Sequence, residues 1–170
     1  MSSRSKSVNL LLVFVLAFGL VGLWPAQEVK AANDIRISQV YGGGGNSGAT
    51  VKSDFIELFN AGSNPVSVAG WSVQYASAAG DTWIATNLTG TILPGKYYLI
   101  KEADGAGGSV ELPTPQATGN IAMGAANGKV ALVNSTTSLT GTCPTGLVDF
   151  VGYGTTANCF EGSATLAPSN

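Results

Sequence analysis

The sequence contains no histidine, and only 11% of its 170 residues are charged. Without His, a Ser–His–Asp triad, a His general base and the usual His-containing metal sites are excluded. Basic residues are scarce: 8 Lys+Arg stand against 10 Asp+Glu, a formal net charge of -2 with a pI near 4.9. That balance argues against a nucleic-acid-binding surface, which needs clustered Lys and Arg to neutralise phosphates. Cysteine is limited to two. Helix signals are almost missing, because no long stretch repeats apolar residues at three and four. The length allows one domain, not several. Together these absences point away from a self-contained enzyme.

What is present begins with a leader. Arg4 and Lys6 give a positive start, and Val8 to Leu23 (VNLLLVFVLAFGLVGL) is apolar apart from Asn9. A helix-breaking Pro25 follows, then Val29-Lys30-Ala31. Small or aliphatic residues at the third and first places before the cut suit a signal peptidase, which places cleavage between Ala31 and Ala32. An uncleaved membrane anchor is the alternative. The apolar run of 16 residues is short of the roughly 20 that span a bilayer. Both Cys lie far downstream, so none stands at the cut to carry a lipid. The expectation is a secreted protein with no stable membrane anchor after cleavage. Of the charged residues, Arg4, Lys6, Lys30 and Glu28 leave with residues 1–31, so the 139-residue remainder carries 5 basic and 9 acidic groups, net -4. Affinity for DNA would have to work against that field.

The rest reads as short strands between turns. Ile35–Tyr41 alternates apolar and polar residues, the mark of a half-buried strand. Asp54–Asn60 is a second strand, bounded by Gly42–Gly45 before it and Ala61-Gly62-Ser63-Asn64-Pro65 after it. Val66–Val68 is short. Trp71–Tyr75 puts Trp71, Val73 and Tyr75 on one face; Thr82–Ile84 and Leu88–Leu93 follow. Pro94-Gly95 makes a turn into Lys96–Lys101, with Pro presetting φ and Gly supplying positive φ. Lys129–Asn134 and Leu147–Tyr153 close the series. Seven to nine strands at this spacing predict an all-β sandwich. Residues 103–119 and 135–146, rich in Gly, Pro, Ser and Thr, read as surface loops, and Ala164–Asn170 reads as linker-like.

Few constellations carry chemistry. Cys143 and Cys159, an even count in an exported chain, read as a disulfide closing a 17-residue loop. Two free thiols or a metal site are the alternatives, and a two-Cys site without His lacks ligands. Gly42–Gly45 follows a strand as a phosphate-binding loop does, but neither a helix nor Gly-Lys-Ser/Thr comes after it; a flexible hairpin loop is the better reading. Asp54 and Glu57, three apart on a strand, point to opposite faces. Asp149, alone in Val-Asp-Phe-Val, reads as a structural hydrogen-bond acceptor. Asp81, Asp104 and Glu111 fall in loops, where carboxylates with Gly can hold calcium, yet no regular ligand spacing is present. No catalytic, cofactor or metal residue is assigned. Trp71, Trp83, Tyr97 and Tyr98 are candidates for a stacking platform. Trp71, in phase with Val73 and Tyr75, reads as core, and Tyr97 and Tyr98 must face opposite ways.

These same strands carry a family resemblance. Asp54-Phe55-Ile56-Glu57-Leu58-Phe59-Asn60, Gly70-Trp71-Ser72-Val73 and Leu93-Pro94-Gly95-Lys96-Tyr97-Tyr98-Leu99-Ile100 occur in order. Gly128-Lys129-Val130-Ala131-Leu132 and Val148-Asp149-Phe150-Val151-Gly152-Tyr153-Gly154 follow them. This series resembles the lamin-tail domain as it occurs in secreted bacterial proteins, over residues 35–162. The resemblance implies an immunoglobulin-like β-sandwich that is not catalytic. In that family the domain often precedes an extracellular nuclease of the endonuclease/exonuclease/phosphatase type, and Cys159-Phe160-Glu161-Gly162 looks like the junction in such nucleases. Relatives usually continue with a Thr-rich stretch and a last strand, so the resemblance implies a fragment or truncated product.

The expected organisation is therefore a signal peptide over 1–31, a lamin-tail domain over 32–163 and a linker-like end over 164–170. Three functional readings follow. The first is an exported, non-catalytic module that binds or positions a protein, the envelope or a partner enzyme's substrate, with no direct nucleic-acid binding and no cofactor. The second is the N-terminal piece of an extracellular nuclease. The third, a small enzyme in its own right, is disfavoured by the missing His and the scattered acids. Recognition is expected in loops 42–50 and 103–119, because loops on a rigid sandwich usually carry it.

Overall fold

A computed structural model describes residues 34–168 of the chain. The leader, including the predicted cut between Ala31 and Ala32, lies outside the described residues. The strands are β1 (Ile35–Tyr41), β2 (Ser53–Asn60), β3 (Val66–Ser67), β4 (Ser72–Ala76), β5 (Ile84–Asn87), β6 (Thr91–Ile92), β7 (Tyr97–Asp104), β8 (Ala117–Thr118), β9 (Gly128–Val133) and β10 (Asp149–Tyr153). Three of these ten are two-residue pieces. The remaining seven build the fold.

The first sheet has the order β1-β2-β7-β8 and the second β10-β9-β4-β5; β3 and β6 form a separate pair. All neighbours are antiparallel except β7 and β8. The alternation seen in the sequence sets the register. Ile35, Ile56, Leu58, Tyr98 and Ile100 from the first sheet meet Val73, Tyr75, Val130, Leu132 and Tyr153 from the second in one buried cluster. Burying each such aliphatic side chain stabilises the fold by about 1.5–3 kcal/mol. This is the immunoglobulin-like sandwich that the resemblance implies.

Tyr97 and Tyr98 do face opposite ways, 59% and 3% exposed. The Pro94-Gly95 turn forms with Gly95 at φ 66 and its N–H donating to Asn60 O. Trp71 precedes β4 and is half-buried, packed against the core as expected but outside the strand.

Three features depart from the sequence reading. Gly42–Gly45 is buried, because the glycines let their backbone pass within contact of other backbone. Residues 103–119 are not one open loop, since β7 extends to Asp104 and β8 lies inside the stretch. The partners that order it come from far along the chain: Ala103 N–H donates to Ile121 O and Gly119 N–H to Lys101 O. At the other end, Thr165 is bound by Gly152 O and the Gly154 N–H, so the segment that reads as a linker begins on the edge of β10.

The central strands of the second sheet, β4 and β9, are buried on both faces. The outer face of this sheet is covered by the loops after β9 and β10, through Ala76, Trp83, Ala131, Val133, Phe150 and Cys159, with Leu139 and Leu147 packed against them. This explains why every residue of β9 is buried.

Candidate functional site

The two loops singled out in the sequence meet at one end of the sandwich. Gly45 N–H donates to Val51 O at 2.8 Å and Gly107 N–H to Gly45 O at 2.6 Å. Lys52 N–H donates to Val110 O, and the N–H groups of Ser109 and Val110 both donate to Thr50 O, each at 3.0 Å. Gly45 makes this approach possible: its φ is +65, and a Cβ there would enter the backbone of Gly105. An ion pair of 2.7 Å between Lys52 and Glu111 spans the same seam. Asp104 accepts from Ser53 Oγ and pairs with Lys101 at 2.8 Å. The Lys101 and Ser53 bonds hold its carboxyl below the ordinary range. The surface so formed exposes Asn46, Ser47, Gly48, Thr50, Ser109 and Val110. It offers backbone, hydroxyl and amide groups beside the Val110 side chain, next to the Lys52–Glu111 and Lys101–Asp104 pairs.

The sandwich acids have structural work. Asp54, 4% exposed, accepts Gly44 N–H on Oδ1 and Met123 N–H on Oδ2, both at 2.8 Å. Burial pushes its carboxyl up, and the two N–H bonds oppose that. Asp149 Oδ2 accepts Ile37 N–H at 2.6 Å, joining β10 to the open side of β1, as the reading of a lone strand acid anticipated. Glu57 is on the opposite side of β2 from Asp54 and takes the Ser38 hydroxyl at 2.8 Å. Among the described residues no three of Asp, Glu and Cys come together to hold a metal ion.

Two buried charges escaped the sequence reading. Glu102, 1% exposed, accepts Ile121 N–H on Oε2 at 2.9 Å, and its Oε1 has no partner. Burial pushes this carboxyl up, and the charge of Asp54 adds to the effect. Its signal was present: Glu102 continues the inward phase of Tyr98 and Ile100, but the predicted strand stopped at Lys101. Lys129 is fully buried. Its Nζ donates to Gly80 O at 2.8 Å, Thr142 O at 2.7 Å and Asn158 Oδ1 at 2.8 Å. The Trp83 ring centroid lies 5.5 Å away. Three acceptors match the three N–H groups of an ammonium ion, and the ring face adds a cation–π contact. Burial nonetheless pulls the amine below its ordinary range. No phase argument could find Lys129, because β9 is buried on both sides.

Cys143 and Cys159 are joined, with Cα atoms 5.5 Å apart. The proposed aromatic platform does not assemble. Trp83 is buried in the outer cover with its Nε1–H on Gly141 O, Tyr98 is in the core, and only Tyr97 is exposed, tilted against Phe59 at 4.8 Å.

Among known families, the Lamin Tail Domain model matches residues 28–155. It runs from before β1 through β10 and contains the paired loops, Asp54, Glu102 and Lys129. No curated protein matches the chain.

Proposed function

The chain belongs to the lamin tail domain family, and from that premise we propose that it is an exported, non-catalytic module that binds or positions a partner through the paired loops. The observation that carries this reading is the seam between residues 45–52 and 105–111. Five backbone hydrogen bonds and an ion pair join two sequence-distant loops into one surface. Ordering them in advance lowers the entropy cost of recognition, which for free side chains is about 0.5–1.5 kcal/mol each.

The family is a non-catalytic immunoglobulin-like one, and the acids of this chain support the same role. Asp54, Asp149 and Glu102 accept backbone N–H groups that tie loops to strands. Export is supported by the leader composition and by the Cys143–Cys159 bridge, since disulfides persist in oxidising compartments. The partner is a protein, an envelope component or the substrate of a partner enzyme, with the acidic balance against direct nucleic-acid binding. The likeness of Cys159–Gly162 to a nuclease junction supports a second reading, in which the module accompanies an extracellular nuclease.

Cross-linking of the disulfide-bonded chain in culture supernatant tests the main reading. Cross-links to a partner should map to residues 46–50 and 105–111 and disappear when Ser47-Gly48 and Ala106-Gly107 are deleted together. Cross-links that map elsewhere, or that survive the deletion in a folded variant, overturn it. DNA cleavage with Mg²⁺ that tracks the purified chain would overturn the non-catalytic role.

A further inference from the structure

The Cys143–Cys159 bridge is unequal at its two ends. Cys159 is 7% exposed and packs with Trp83 and Phe150 in the outer cover, whereas Cys143 is exposed. A cavity of about 460 Å³ opens on the Cys143 side, with Leu139, Pro144 and Thr145 in its wall and no charged side chain. That is the volume of a small-molecule site.

The chain on either side of the bridge is fastened unevenly as well. Up to Thr142, the loop after β9 is tied down by groups that involve no sulfur. Ser72 Oγ donates to Ser135 O at 2.6 Å and Gln74 Nε2 to Thr137 O at 2.9 Å, while Gln74 Oε1 accepts Leu139 N–H at 2.8 Å. Gly141 N–H donates to Asp81 O at 3.1 Å, and Gly141 O accepts Trp83 Nε1–H at 2.9 Å. Lys129 Nζ then holds Thr142 O and Asn158 Oδ1. From Cys143 to Leu147 no hydrogen bond follows among the described residues, and bonding resumes with Val148 N–H on Leu132 O. Opening the bridge therefore releases a short stretch, while the bonds before and after it keep the cover in place.

Thiol–disulfide exchange needs a thiolate to reach one of the two sulfurs. Cys159 is covered and Cys143 is open. We propose that this bridge is an exchange site for a small thiol of tripeptide size, which attacks Cys143 Sγ and is held there as a mixed disulfide while the sandwich stays folded. The sulfur of the incoming thiolate bonds to Cys143 Sγ and the Cys143–Cys159 bond breaks. Its electron pair leaves with Cys159 Sγ, which takes up the proton given up by the thiol. The step consumes no oxidant or reductant beyond that thiol. The Lys129 contacts keep Thr142 and Asn158 in place, so the Cys159 thiol stays near Cys143 and expels the bound thiol when its concentration falls.

Glutathione added to the folded, oxidised chain tests the proposal, read by acid quench, intact mass and peptide mapping. The adduct is expected on Cys143, with Cys159 a free thiol. The opening rate should change less than ~2-fold in ~1 M urea, whereas opening that needs global unfolding would accelerate ~30-fold. Two single variants give a second measure. Oxidised glutathione should cap the remaining thiol of Cys159→Ser at least ~10-fold faster than that of Cys143→Ser, because only the first is accessible. Should either variant fail to fold, the urea dependence in the native chain decides. A bridge that opens only as the chain unfolds, glutathione on Cys159 and not on Cys143, or equal capping of the two folded variants overturns the exchange site.

Discussion

Asp54→Ala tests whether a single buried carboxylate holds the glycine loop and the 119–124 segment onto the first sheet. The substitution removes the acceptor of Gly44 N–H and of Met123 N–H, both at 2.8 Å and both in buried surroundings. Each buried donor left without a partner is worth about 1–3 kcal/mol, so the loss is about 2–6 kcal/mol if neither finds a substitute. Burying the charge was itself unfavourable, as its raised carboxyl shows, and this offsets part of the loss. A net of ~3 kcal/mol is a large share of the 5–15 kcal/mol by which domains are stable. In urea, at a slope of ~2 kcal/mol/M, the midpoint should drop by ~1.5 M. Asp54→Asn keeps one oxygen but turns an NH₂ toward one of the donors, so it should be intermediate or as severe. A midpoint for Asp54→Ala within the ±0.5 kcal/mol typical of surface substitutions would refute the reasoning.

Three further outcomes follow from the same geometry. Cys143→Ser with Cys159→Ser should lower stability by ~3 kcal/mol, the chain-entropy value for a loop of this length, measured by urea unfolding against the oxidised chain. Gly48→Ala, at φ +84 with nothing near the new Cβ, should cost only the ~1–2 kcal/mol of a left-handed residue, whereas Gly45→Ala also drives a Cβ into Gly105 and should be clearly worse; equal midpoints would deny the close approach. The pH dependence has a definite sign. Asp54 and Glu102 are both raised in the folded state, so they bind protons more tightly there than in the unfolded chain. Their contribution is fully present below their ordinary values of 3.8 and 4.5 and is lost as pH rises through the folded values. Melting temperatures should therefore fall from pH 5 toward pH 8, and a rise over that range would contradict the assignment.

The strands were legible because sandwich faces impose a period of two that short-range reading can see. Ile56 and Leu58 point inward while Phe55, Glu57 and Phe59 are only partly buried, and both the Pro94-Gly95 turn and the opposed Tyr97 and Tyr98 follow from local chemistry. The meeting of the two loops was not legible, since it rests on backbone bonds such as Gly107 N–H to Gly45 O that involve no characteristic side chain. Lys129 was hidden for a different reason. Its three acceptors come from three separate segments, and a lysine followed by Val-Ala-Leu-Val reads as the exposed start of a strand. The family match and the five ordered strand motifs describe the same framework, so the scaffold was accessible from sequence while its loop surface was not.

The Lys129 cage has a consequence for how the covalent bridge arises. Two of its acceptors, Thr142 O and Asn158 Oδ1, belong to the residues immediately before Cys143 and Cys159. One cation thus grips both approaches to the sulfur pair, and it does so through contacts that need no oxidant. Lys129→Met should therefore slow thiol oxidation of the reduced chain relative to the native sequence, and an unchanged rate would deny the cage that role. The cage and the bridge thus fasten the same two segments, one through a charge and its oxygens and the other through a covalent bond.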